Sequence, residues 1–266
     1  MRDRYGRTIS YLRVSVTDRC DMRCWYCVSG GDVPPCRPDD ILTADEIADI
    51  VAAAARMGVT KVRLTGGEPL LRDDIVSLAR RLSGIEGIRE LTMTTNGQLL
   101  SEYAEPLAAA GMNRVNVSLD AVRPERYAQV TGGGDVRRVL DGIEAARRAG
   151  LEPVKLNCVV RASSDEPDAL DVAEYGRRNG LLVRFIPVMD PKAGTFGVVE
   201  GGHGGDCPRC NRLRLSCTGV VRPCLLSDLG FSTRELGAEA ALRRAVHEKP
   251  ESGGPCRQNW IRAVGG

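Results

Sequence analysis

Cys20-Asp-Met-Arg-Cys24-Trp-Tyr-Cys27 sets three cysteines at CxxxCxxC spacing directly after an apolar run at 12–16. That run reads as a β-strand, which puts the cysteines in the loop at its C-terminal end. Three thiolates so spaced bind three irons of a cubane [4Fe–4S] cluster and leave the fourth iron without a protein ligand. A structural site is normally closed by a fourth protein ligand, so an open corner points to another molecule binding there. The alternatives are unrelated buried thiols or a zinc knuckle, which prefers four ligands and has Cys36 as the nearby fourth thiol.

Outward from this loop, short β-rich runs alternate with helix-period segments. Strands are expected at 12–16, 61–64, 90–94, 114–118, 154–160 and 182–187, most with little polar alternation, as in a parallel sheet covered on both faces. The first helix is marked by a capping box of Thr43 and Glu46, an apolar stripe of Ile47, Ile50, Val51 and Ala54, and Gly58 at its end. Further helices fit 73–82, 101–110, 136–149 and 167–179. The expected fold is α/β, a partial, six-stranded (β/α) barrel of TIM type, with its chemistry at the C-terminal strand ends. It would occupy residues 1–190. A C-terminal auxiliary-cluster region would occupy 191–266, with a glycine-rich start, a short possible strand at 196–199, a helical stretch near 233–248 and a Gly265-Gly266 end.

With 37 lysines and arginines against 35 acidic residues, the net charge of +2 gives no sign of a nucleic-acid or membrane surface. No apolar run reaches the ~18 residues of a membrane span, and the N-terminus lacks the apolar stretch of a signal peptide. Ten cysteines, six of them in two clustered triplets, suggest metal in a reducing, cytoplasmic compartment rather than disulfides.

The second triplet is Cys207-Pro-Arg-Cys210 followed by Cys224. It repeats the logic of the first: three ligands and an open position. Cys217 lies between, so Cys207, Cys210, Cys217 and Cys224 also make a candidate four-thiolate zinc site. Arg212 and Arg214, one residue apart on a strand, point to the same face and suit one anion beside an open iron; a solvated basic strand is the alternative.

The chain resembles the GTP 3′,8-cyclase family of radical S-adenosylmethionine (SAM) enzymes, the molybdenum cofactor biosynthesis protein A family. The stretches that carry the resemblance are Tyr11-Leu-Arg-Val-Ser-Val-Thr-Asp-Arg-Cys20, Lys61-Val-Arg-Leu-Thr-Gly-Gly-Glu-Pro-Leu-Leu-Arg72, Thr94-Thr-Asn-Gly97, Asn116-Val-Ser-Leu-Asp120, Arg184-Phe-Ile-Pro-Val-Met-Asp190, 207–215, Arg222-Pro-Cys-Leu225 and Gly265-Gly266. The first triplet specifies only the superfamily; the second, with its arginines and the glycine end, points to this family.

The resemblance implies two [4Fe–4S] clusters, one on Cys20, Cys24 and Cys27 and one on Cys207, Cys210 and Cys224. SAM would chelate the open iron of the first cluster and be contacted by Tyr26, Gly67, Ser118 and the backbone of Met189. GTP would meet Arg13, Arg63, Lys155, Arg212 and Arg214, with Thr94 as a hydroxyl contact, and its guanine would reach the open iron of the second cluster. Charges on otherwise apolar strands, as at Arg13, Arg63 and Lys155, are costly unless paired or facing a ligand. The ribose 3′ hydrogen would be abstracted, the carbon radical would attack guanine C8, and the tail glycines would reach into the site. Implied partners are GTP, SAM, an electron donor such as flavodoxin or ferredoxin and the next enzyme of the molybdopterin pathway, with no nucleic acid, no membrane and a possible homodimer.

Two departures bear on the substrate. Met189 and Cys207 are closer together than in the family, and Cys217 stands where the family has no ligand. A Cys217-closed second cluster would imply a different substrate, such as a peptide or another nucleotide; zinc at both sites would imply a scaffold without catalysis.

Overall fold

The computed structural model describes residues 1–28 and 35–256; the Gly265-Gly266 end lies outside them. Strand β1 (Tyr11–Ser15) leads into a short helix α1 (Trp25–Val28), and α2 (Ala44–Arg56) follows. Then come β2 (Lys61–Thr65), α3 (Ile75–Ser83), β3 (Glu90–Thr95), α4 (Leu100–Ala109), β4 (Arg114–Ser118), α5 (Pro124–Thr131) and α6 (Val136–Arg148). The barrel half ends with β5 (Lys155–Val160), α7 (Pro167–Asn179) and β6 (Leu182–Pro187). After them lie β7 (Arg212–Leu215), β8 (Val220–Arg222), β9 (Phe231–Ser232), α8 (Thr233–Leu236) and α9 (Ala238–His247).

All nine strands share one open sheet in the order β6-β5-β4-β3-β2-β1-β7-β8-β9. The pairs from β6 through β1 to β7 are parallel, and β8 and β9 continue antiparallel. The expected six-stranded half-barrel is present, and the second cysteine region extends it rather than standing apart, because β7 pairs with β1.

Side-chain alternation separates two faces. Leu12, Val14, Val62, Leu64, Leu91, Met93, Val115, Val117 and Leu156 are fully or almost fully buried against the helices. The intervening residues, Arg13, Arg63, Thr92, Asn116 and Asn157 among them, face the concave interior. The strands are therefore covered on both faces, as expected, but the inner face is polar and charged, not apolar.

Helix α2 begins at the expected capping box: Thr43 Oγ1 accepts from the Glu46 amide at 3.2 Å and Glu46 Oε2 from the Thr43 amide at 2.8 Å. Two expectations need correction. Residues 196–199 form no strand; this stretch is tied down by isolated bridges, Asp190 with Thr195 and Phe185 with Glu200. The stretch 233–248 is two helices, broken at Gly237, whose φ of +79° no helix accepts. No helix among the described residues is long and apolar enough to cross a membrane.

Candidate active site

The Cys20 loop is held down by a glycine pair. The Gly67 amide donates to the Thr17 carbonyl at 2.8 Å and the Glu68 amide to the Arg19 carbonyl at 2.7 Å. A Cβ on Gly67 would stand 2.0 Å from the Arg19 carbonyl oxygen, and one on Gly66 would stand 2.4 Å from that of Thr17. The bare backbone at the end of β2 thus admits the loop itself, a different reason for Gly67 from the approach of SAM, although Gly67 also lines the cleft above.

That cleft opens at the C-terminal strand ends. Cys20, Cys24 and Cys27 border it, and so do Tyr26, Thr94, Ser118 and Met189. Tyr26 donates its hydroxyl to Asp120 Oδ2 at 2.7 Å, while Asp120 Oδ1 accepts from the Val159 amide at 2.8 Å. Burial pushes the Asp120 carboxyl up to about 6 despite those two bonds. Glu68 ties the ends of β2 and β3 together, accepting from Thr95 Oγ1 at 2.7 Å and the Asn96 amide at 2.6 Å. Burial raises it to about 7. Burial and Asp120 push the Cys24 thiol up to about 12.

Below the cleft, register sets three guanidiniums abreast. Arg13 on β1 is the partner of Arg63 on β2 and of Arg214 on β7. Arg63 Nε donates to Tyr11 Oη at 2.6 Å and its Nη1 donates to Thr94 Oγ1 at 2.9 Å. Burial and the charges of Arg214, Arg63 and Arg212 pull Arg13 down to about 9; burial and Arg212 pull Arg214 down to about 10. Lys155 is lowered by burial and by Arg184, Arg114, Lys61 and Arg63. Glu90 neutralises part of this field, pairing with Lys61 and Arg114 at 2.7 Å each. An excess of buried positive charge remains, the setting for a polyanion.

The second cavity is bordered by Cys207, Cys210, Cys224, Arg212, Arg214 and Lys249. Burial raises the Cys210 thiol, but Lys249 and Arg212 outweigh it and bring Cys210 down to about 7. Cys217 is fully buried and does not border this cavity. Cys36, the other candidate fourth ligand in the sequence, borders neither this cavity nor the first cleft. Among the described residues no three His, Cys, Asp or Glu side chains converge as the ligands of one metal ion would. With Zn–S near 2.3 Å, thiolates on one zinc lie within about 4 Å of one another. Each triplet borders a cavity.

The Radical SAM superfamily profile matches residues 14–175. The GTP 3′,8-cyclase of Geobacter sulfurreducens is 37% identical, with 95% of this chain and 93% of the relative aligned. That of Pelotomaculum thermopropionicum is 39% identical over 92% of this chain and 89% of the relative. The chain belongs to the GTP 3′,8-cyclase family of radical SAM proteins. The Geobacter alignment runs to 304 positions against the 266 residues here, in keeping with segments that this family member lacks. Among solved structures, anSMEcpe with bound AdoMet superimposes with a TM-score of 0.63 at 14% identity, over 96% of this chain and 87% of that one. Streptococcus suis SuiB bound to S-adenosylmethionine gives 0.55 at 22%, over 65% and 39%. At such identities these two show the fold alone.

In this family member the shortened segment still borders the second cavity, through Gly194, Thr195, Phe196 and Gly205. Tyr11, Asp120, Glu68 and Lys249 were not singled out by the sequence reading. Tyr11 was reachable, since it shares a strand face with Arg13. Lys249, a single lysine before a proline, carries no signal in sequence.

Proposed function

We propose that this chain cyclises GTP to (8S)-3′,8-cyclo-7,8-dihydroguanosine 5′-triphosphate, a step of molybdenum cofactor biosynthesis. One observation carries the reading: the row Arg63–Arg13–Arg214 runs from Thr94, at the edge of the first cysteine cleft, to the second cysteine cavity. Cys20, Cys24 and Cys27 would hold the first [4Fe–4S] cluster, and Tyr26, Gly67, Ser118 and Met189 line the room for SAM. Cys207, Cys210 and Cys224 would hold the second. When bound, the first cluster supplies the electron that cleaves SAM to a 5′-deoxyadenosyl radical.

The chain's own part is positioning and charge. Arg13, Arg63, Lys155, Arg212 and Arg214 bind the triphosphate, each charge-assisted bond contributing roughly 1.5–3 kcal/mol. Thr94, fixed by Arg63, limits where the ribose sits. Cys217 lies outside the cavity that Cys207, Cys210 and Cys224 border, which favours a ligand from the substrate over a closed auxiliary cluster. The reading includes a one-electron donor such as flavodoxin or ferredoxin, a cytoplasmic setting, delivery to the next enzyme of the molybdopterin pathway, a homodimer, and a functional division near Asp190. Anaerobic incubation with SAM, a low-potential reductant and GTP should yield 5′-deoxyadenosine and the cyclised nucleotide together. SAM cleavage that GTP neither stimulates nor diverts into product would keep the chemistry and remove the substrate.

A further inference from the structure

Lys249 follows α9 and is 1% exposed. A buried ammonium is costly unless compensated, and no carboxylate ion-pairs with this one among the described residues. Two of its three donors are spent on backbone: Nζ donates to the Arg212 carbonyl at 2.8 Å and to the Pro223 carbonyl at 2.6 Å. Those carbonyls flank the candidate ligands, Arg212 lying two residues after Cys210 and Pro223 immediately before Cys224. Its third donor is left over on a cavity that the Cys210 and Cys224 side chains also line.

The segment is pinned from the other end of the chain. Arg7, paired to Asp3 at 2.6 Å, donates from Nη1 to the Cys207 carbonyl at 2.9 Å and the Glu251 carbonyl at 2.8 Å, and from Nη2 to the Pro250 carbonyl at 2.6 Å. Backbone at two of the candidate ligand segments is thus tied to the Lys249–Glu251 stretch, which leaves the ammonium little freedom to leave the cavity.

We propose that Lys249 is a positioning residue of the second cluster: its ammonium hydrogen-bonds a ligating sulfur and raises the cluster's reduction potential. This rests on the reading of Cys207, Cys210 and Cys224 as a cluster site. Three thiolates outweigh the charge of an oxidised cubane core, and one-electron reduction by a low-potential donor adds one more negative charge with no bond made or broken. A fixed positive charge at the sulfur favours the reduced state; hydrogen bonds to sulfur and local charge are the levers that set such potentials.

The test is a redox titration of the anaerobic holoenzyme followed by electron paramagnetic resonance, with the second cluster recognised as the signal that SAM leaves unchanged. Lys249→Met keeps the length of the side chain and removes the charge. It should lower the equilibrium constant for one-electron reduction at least about tenfold, a fall of ~59 mV. Lys249→Arg should keep the wild-type potential. Loss of the second cluster in Lys249→Met with retention in Lys249→Arg supports the same role. An unchanged potential in Lys249→Met, an equal fall in both variants, or loss of the cluster from both reduces Lys249 to a backbone staple and overturns the proposal. A wild-type chain with no second reducible cluster removes the cluster reading itself, and the proposal with it.

Discussion

Arg13 and Arg214 are register partners on adjacent parallel strands, so two guanidiniums stand side by side in the interior of the sheet. Like charges so placed repel, and in a partly desolvated interior screening by salt is weak. The fold carries this repulsion at the junction between its two cysteine sites, and a bound polyanion relieves it. Anion binding should therefore raise thermal stability. GTP at a hundredfold excess over its Kd would add about 2.7 kcal/mol by mass action alone.

Loss of single cations should be felt by GTP and not by SAM. Arg63→Ala or Lys155→Ala should weaken GTP binding on the order of ten- to a hundredfold, from roughly 1.5–3 kcal/mol per charge-assisted bond. Equilibrium binding of each ligand to the two variants checks this. Equal GTP affinity in both would assign these side chains to packing.

Tyr11 offers a titration visible without substrate. Burial alone raises its phenol, yet Arg63, Arg13 and Lys61 outweigh it and bring it down to about 8 from the usual 10. A folded-state value below the unfolded one means the stabilisation is fully present above pH 10 and is lost as pH falls through about 8. Ultraviolet difference titration should show a tyrosinate step near pH 8 that Tyr11→Phe removes. Saturating GTP should move the step upward, because phosphate charge offsets the three cations.

Cys24→Ala should abolish SAM cleavage and leave the second cluster in place. Gly67→Ala should do nearly the same by another route, because its methyl meets the Arg19 carbonyl and lifts the Cys20 loop off β2. Iron content, the second cluster's spectrum and 5′-deoxyadenosine yield follow both. Full SAM cleavage in Gly67→Ala would mean the loop has room that this packing denies.

Cys217→Ala should retain both clusters and GTP cyclisation, costing on the order of 1 kcal/mol of stability for the atoms removed from a buried site. GTP should also perturb the spectrum of the wild-type second cluster. An unperturbed spectrum at saturating GTP would promote a substrate other than GTP.

The strands could be read in advance because apolar runs and turn residues are local signals, as at 114–118 and 182–187, where expected and observed limits coincide. Helix α5 was missed although Pro124 at its start and Gly132 at its end are good punctuation. It buries only Tyr127 and Thr131, too few apolar positions for a periodic stripe. The cysteine triplets and most cations were legible from type and spacing. Their abreast arrangement was not, since the register that sets Arg63 beside Arg13 belongs to pairs of strands and not to either one.

The Arg7 clamp orders events in time. Arg7 leaves the ribosome 200 residues ahead of Cys207 and 244 ahead of Glu251, roughly 10 to 50 s earlier at 5–20 residues per second. By the time Cys207 emerges, Cys20, Cys24 and Cys27 are already out with strands β1 to β6, while the β1 edge that will receive β7 stays bare. A cell loading iron onto the growing chain meets a complete first site before the second exists. Removing the first seven residues should therefore register as a defect of the cluster encoded last.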